Sequence, residues 1–447
     1  MKLTPINNYY KSILRIAIPA IAGLSVQIIV SLVDAGMVGR LDNPEYTLAA
    51  MGLGVLATWA IVSFFSSLAT GTQVLVSHRF GRKAFNECGE VLSNSIFVGF
   101  IIGIVISFIG VYYAFEIAGF FARDAIVGKL AGEFFHYRIM GIPFFLITVS
   151  YRGFFFGIGN TKIFMISGIM INLTNIIFNY ILIYGGFGIE PMGLAGSGLG
   201  STLATVLDAL FYFVVSLHPA FKKKYSLYKK FRIDKAIIKS IYKISLPVAF
   251  QSVFILLGFL SFVAVSGLIG ITEQAATQAI ISMLFMSFLP CYGFGIATQT
   301  LVGNSVGRGK IQIAKIYGYE TAKMATYYTL FLALLFLIIP QYILLIITTD
   351  QKIIQTAVTA MRIAGVAQIF YATGIVLANA LQACGKTAFV MWAEVVTNLL
   401  IFVPLSYFLG IYLELGLTGA WFALPCYVII YSIVILLKFK YGKWETV

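Results

Sequence analysis

Few side chains in this sequence are equipped to hold or exchange an ion, and those few fall at helical spacing. Gln27, Ser31 and Asp34 stand four and three residues apart, so a helix would carry all three on one face. Gly168, Asn172, Asn175 and Asn179 form a second stripe, and Ser197, Ser201, Thr205 and Asp208 a third. At 1.5 Å of rise per residue, Asn179 lies about 8 Å and Ser201 about 12 Å from the outer ends of their helices. Asp34 is also in the outer part of its stretch. Three polar faces at similar depth predict one site for a proton or a small cation, and the same Asn and Ser would equally serve as hydrogen-bonding glue between helices. Asp208, deeper, is either a second proton site or a structural hydrogen-bonding residue. In the second half Glu394 is the one acid clearly inside an apolar stretch, while Gln251, Gln278, Gln299, Asn379 and Gln382 supply polarity without charge. Aromatic residues make up 15% of the chain, enough either to line a cavity for flat or cationic ligands or to serve as packing and interface belt.

The elements that position these residues follow from hydropathy. The 447 residues are 60% hydrophobic and 11% charged, against about 25% charged in ordinary soluble domains. A chain this long with so little charge cannot cover a water-facing surface. Spanning helices need roughly 20 mostly apolar residues, and stretches of that kind are predicted at 16–36, 48–76, 91–115, 133–157, 163–184, 193–217, 244–268, 275–305, 317–345, 357–382, 388–410 and 414–437. No room remains for a soluble catalytic domain, and the basic balance of +14 is not a nucleic-acid signature. Of the 31 lysines and arginines, 23 fall on one side of the predicted spans and five (Arg40, Arg123, Lys129, Lys352, Arg362) on the other. Arg138, Arg152 and Lys323 fall inside spans. The bias puts both termini in the cytoplasm. The first stretch has span length and no small-residue cleavage site, which predicts a retained helix. The connection from Lys222 to Lys243 interleaves basic residues with Tyr225, Tyr228, Phe231, Ile237, Ile238 and Ile241. It is expected either to rest on anionic lipid or to act as a solvated linker.

Other motifs carry no chemistry. GKT at 385–387 lacks the upstream glycine of a phosphate loop, Ala380 and Leu381 standing there. His78, His136 and His218 are isolated, and no catalytic order of Ser, His and Asp can be argued. Cys88, Cys291, Cys384 and Cys426 have no CxxC spacing and are expected to be packing residues.

The chain repeats itself. TQVLVSHRFGR at 72–82 aligns without a gap on TQTLVGNSVGR at 298–308, six of eleven positions matching at an offset of 226. That offset also superposes Gly159, Thr161 and Asn172 on Gly385, Thr387 and Asn398. Nearby offsets bring Ile18-Pro19 onto Leu246-Pro247 and GLAG at 193 onto GLTG at 416. A duplicated unit of six helices enters the bilayer twice in the same direction, which predicts two lobes related by a pseudo-twofold axis along the membrane normal. The fold expected is all-α, twelve transmembrane helices in an N-lobe at 1–217 and a C-lobe at 244–447, joined by a basic cytoplasmic linker at 218–243.

With its twelve spans, this duplication, LVDAGMVGRLD around Asp34, TNIIFNYILIYGGFGIEPMGLAGSG from 174 to 198 and the paired VSHRFGR and VGNSVGRGK segments, the chain resembles the multidrug and toxic compound extrusion (MATE) family over nearly its whole length. The resemblance implies two six-helix lobes forming a V and export of small organic, often cationic, compounds by alternating access, driven by inward H⁺ or Na⁺. It implies an ion site with an acid in helix 1 at Asp34, an asparagine in helix 5 at Asn175 and a helix-6 hydroxyl at Ser201, where threonine is usual, with Thr202 beside it. Where many members carry an Asp, this chain has Asn179, as the NorM-type branch often does. That branch's C-lobe acids are replaced by Ile255 and Tyr371. The coupling set is therefore expected to be Asp34, Asn175, Asn179, Ser201 and Thr202, with Asp208 as a further proton site. Gln27, Ser31, Asn172, Gln251, Gln278 and Tyr371 are expected to line the substrate cavity. No cofactor is expected beyond the coupling ion, and no metal beyond a Na⁺ at Asp34 and Asn175. The expected partners are a small organic substrate and the lipid of the cytoplasmic membrane, around a monomer.

The runner-up is a flippase of lipid-linked oligosaccharides from the same superfamily, which would need basic residues for pyrophosphate. Only Arg138 and Arg152 offer themselves. A membrane-embedded enzyme would need clustered histidines or paired carboxylates, which the spans do not supply. A channel is disfavoured by the two-lobe duplication.

Overall fold

The computed structural model describes residues 7–229 and 232–444. Apart from one antiparallel bridge between Gly186 and Ile189, their regular structure is helical. The first six long elements are α1 (Asn7–Val38), α2 (Pro44–Gly81), α3 (Phe85–Tyr112), the bent α4 (Ala125–Ile139 and Ile142–Gly157), α5 (Thr161–Tyr184) and α6 (Gly193–Leu217). The second six are α7 (Lys235–Ile269), α8 (Ile271–Gly307), α9 (Ile311–Ile338), α10 (Gln351–Ala383), α11 (Thr387–Tyr412) and α12 (Gly416–Tyr441). Eleven are long and apolar enough to cross a bilayer as single helices, and α4, bent by 49°, makes the twelfth. Large apolar side chains such as Phe108, Leu268, Ile338 and Leu400 point outward, as expected where the solvent is hydrocarbon.

The duplication is legible in the turns. α2 and α8 end at the repeat-equivalent Gly81 and Gly307, and α5 and α11 begin at the equivalent Thr161 and Thr387. After α4, Gly159 takes φ +79° while its N–H donates to the Phe156 carbonyl and Asn160 N–H to that of Phe155. After α10, Gly385 takes φ +72°, donating to Gln382, and Lys386 donates to Leu381. These are paired Schellman caps, in which the left-handed residue lets two N–H groups satisfy the helix's last carbonyls. The same two-bond cap closes α2 at Lys83 and α8 at Gly309.

The chain divides into two compact units, an N unit of Ala22–Ser245 and a C unit of Leu246–Val447 joined by the start of α1 as far as Ile21. These differ from the expected division at 217 and 243 in two places. α1 changes unit along its length because Ile13, Ile16 and Ala17 are buried in the C unit's apolar core. The basic connection belongs to the N unit and is more than a solvated linker. Tyr225, Leu227, Ile237 and Ile241 fill a cluster with Cys88, Phe154, Phe155 and Tyr212, and the Tyr228 hydroxyl bonds those of Tyr151 and Ser216, each at 2.6 Å. Burying these aromatics outweighs leaving the segment free. Phe231, named with them above, lies outside the described residues. Two smaller expectations are also corrected. Cys426 is exposed on α12, unlike the other three cysteines. Glu320 is a second buried acid of the C half, paired with Lys323 at 2.6 Å one turn along α9.

Candidate functional site

The predicted polar faces of α1, α5 and α6 meet inside the N unit. Close approach of α5 and α6 comes from glycine: a Cβ on Gly196 would lie 2.4 Å from the Leu182 carbonyl oxygen, and one on Gly200 2.2 Å from Asn179 Oδ1. Gly196 and Gly200, four apart, are the small residues that let membrane helices pack backbone to backbone. Gly168 of α5 likewise faces Gly23 of α1, a Cβ there meeting the Gly23 carbonyl at 3.3 Å.

At this junction Asp34 is half-buried, and Asn179 Nδ2 donates to its Oδ1 at 2.8 Å. Asn175 lies between Asp34 and Ser201. With its amide nitrogen toward the carboxylate it donates to Oδ1 at 3.0 Å and Oδ2 at 3.2 Å while its oxygen accepts from Ser201 Oγ at 3.0 Å. Asn179 and Asn175 thus both donate to the Asp34 carboxylate, with Ser201 holding Asn175 from the other side. Arg138, from the end of α4's first segment, acts on Asp34 electrostatically and reaches Thr205 Oγ1 at 3.5 Å.

Thr202 does not join this group. Its hydroxyl donates to the carbonyls of Tyr137 (2.8 Å) and Arg138 (3.3 Å), at the break in α4. One residue past Ser201 on a helix turns the side chain by about 100°, so the two hydroxyls face different neighbours. Asp208 is fully buried and already committed: its Oδ2 pairs with Arg152 at 3.4 Å and its Oδ1 accepts from Ser167 at 2.6 Å. Arg152 also stacks over the Phe164 ring at 5.2 Å.

The six expected cavity residues are divided between the units. In the N unit Gln27 and Ser31 are exposed, the Ser31 hydroxyl bonding the Gln27 carbonyl at 3.1 Å, and Asn172 is buried with Nδ2 unpartnered. In the C unit Gln278 is exposed, Gln251 is buried and accepts from Gln382 at 3.1 Å, and Tyr371 stacks on Phe288 at 4.2 Å. Phe262, the repeat counterpart of Asp34, is buried among Phe402 (4.8 Å) and Trp421 (5.0 Å). An aromatic cluster fills the position that holds the carboxyl in the N unit.

Sequence reasoning missed the roles of Arg138, Arg152 and the Gly196/Gly200 pair. The glycines carried a visible small-xxx-small signal. The arginine partners did not, because each lies on another helix.

These features define a polytopic α-helical membrane protein built from a duplicated unit of six spans, with charge concentrated in its first half. The MatE family matches the chain twice, over residues 19–181 and 247–408, one match to each half. The chain belongs to the MatE family. It is 23% identical over 442 residues to a probable multidrug resistance protein NorM of Thermotoga maritima, covering 97% of this chain and 93% of the relative. It is 26% identical over 388 residues to the uncharacterized transporter YisQ of Bacillus subtilis, covering 84% and 83%. Among solved structures, an outward-facing multidrug resistance MATE family transporter of the MOP superfamily superposes with a TM-score of 0.89 at 20% identity, covering 96% of this chain and 95% of that one. A MOP superfamily transporter from Pyrococcus furiosus gives 0.87 at 20% identity with the same coverage.

Proposed function

We propose that this protein is a cation-coupled antiporter of the cytoplasmic membrane, exporting small organic, cationic or amphipathic compounds by alternating access, with both termini in the cytoplasm. The observation that carries the reading is the Asp34–Asn175–Asn179–Ser201 group, a single half-buried carboxyl surrounded by amide and hydroxyl groups inside the N unit. Such a group takes up and releases H⁺ or Na⁺ with little movement of the backbone, as a coupling site must. The curated names of several relatives, which describe probable multidrug resistance proteins, support the substrate class. The flippase reading is weakened because Arg152 is committed to Asp208, which leaves at most Arg138 as a cation for pyrophosphate.

The test is export of a fluorescent organic cation by purified protein in liposomes, with Na⁺ and pH gradients imposed separately. One gradient should drive transport, and Asp34→Asn should abolish gradient-driven export while leaving the protein folded and able to bind substrate. Undiminished gradient-driven transport by Asp34→Asn would falsify the coupling site.

A further inference from the structure

The C unit lacks an acid at the counterpart of Asp34, yet it buries one elsewhere. Glu394, on α11 at the repeat counterpart of Gly168, is 2% exposed. Among the described residues no cationic side chain pairs with it. The groups that face it are all neutral: Tyr427 and Tyr431 from α12, Gln251 from α7 and Asn398 from its own helix reach the carboxyl, with Tyr292 of α8 and Tyr371 of α10 around them. Tyr427 donates its hydroxyl to Oε1 and Asn398 Nδ2 approaches the same oxygen at 3.5 Å. A bare carboxylate so placed costs several kcal/mol unless a cation reaches it, and a purely structural hydrogen-bonding role would be served by glutamine. Two further observations bear on what reaches it. Asn398 is 0% exposed and its Oδ1 has no hydrogen-bond partner. Turning that amide over would present Oδ1 to a protonated Glu394 as the acceptor its O–H needs. From Asn398 to Phe402 the helix is π-wound, a distortion frequent at functional sites. The hydroxyls of Tyr292 and Tyr371 meet beside the carboxyl.

We propose that Glu394 is a second proton-exchanging centre, in the C unit, at which a carboxylate and a proton from water combine to a neutral acid held by Tyr427 and Asn398. The phenols donate and accept hydrogen bonds and keep their own protons. A metal cation fits less well, because the hydroxyl and amide hydrogens already point at the carboxyl where a metal would need lone pairs.

The proposal rests on the antiport reading for its purpose but not for its test, which needs neither substrate nor transport. Infrared difference spectra of the full-length protein in lipid, titrated with pH in H₂O and D₂O, should show the C=O band of a buried protonated carboxyl that disappears on raising pH. The band should persist in Asp34→Asn and be absent in Glu394→Gln. Tyr427→Phe, which keeps the acid and removes a donor, should move the midpoint. A titration identical to wild type in Glu394→Gln, an unmoved midpoint in Tyr427→Phe, or a carboxyl responding to Na⁺ but not to pH would each overturn the proposal.

Discussion

Asp208 and Arg152 make opposite demands from those of Asp34. Removing one member of a buried ion pair leaves the other charge stranded, at about 3 kcal/mol or more, whereas replacing both can be nearly neutral. Asp208→Asn should therefore lower thermal stability markedly, measured by unfolding in detergent, and Asp208→Asn with Arg152→Gln should recover most of the loss. Equal loss in single and double variants would show that Asp208 is not held chiefly by Arg152. Asp34→Asn, in a half-exposed site of amides, should change stability little and coupling greatly. The residues of the candidate ion site were legible because Asp34, Asn175, Asn179 and Ser201 occupy one face each at helical spacing, and that spacing survives folding. The partners of Asp208 and Glu394 were not legible. Both depend on which helices become neighbours, and neither Arg152 nor Tyr427 stands at a periodic distance from the acid it meets.

At the scale of elements, α6 carries Ser201 of the candidate ion site and also the glycines that admit α5. A methyl at Gly200 would strike Asn179 Oδ1, a side-chain atom, so Gly200→Ala should displace Asn179 from Asp34 and impair gradient-driven export while the protein still folds. A methyl at Gly196 would strike backbone of Leu182, which cannot turn aside. Gly196→Ala should accordingly lower the unfolding temperature more than Gly200→Ala does. The reverse order in a thermal-shift series would show that the contact at Gly196 yields. Helix existence and register were readable from hydropathy and from the repeat, because span length and the GN and GK turns are local properties. The break in α4 was not, since Met140 and Gly141 resemble many positions inside intact helices. The Thr202 hydroxyl of α6 reaches the Tyr137 and Arg138 carbonyls at that break.

For the molecule as a whole, the sequence bias in basic residues predicts a topology that can be checked directly. In a background without the exposed Cys426, a cysteine at Arg123 or Lys352 should react with an impermeant maleimide in intact cells, and one at Lys223 or Lys443 only after permeabilisation. The opposite pattern would invert the protein in the membrane. The bent α4 has a consequence for how the chain is made. Its segments, Ala125–Ile139 and Ile142–Gly157, are 15 and 16 residues, each short of the roughly 20 that span a bilayer, and each carries an arginine. During synthesis Arg138 emerges after its acid, Asp34, has already entered the membrane. Arg152 emerges before Asp208, which lies 56 residues further along the chain. Until ribosomal elongation delivers α6, the second segment of α4 therefore carries a charge whose partner has not yet been made, at a cost of about 2.5–3.5 kcal/mol on insertion scales.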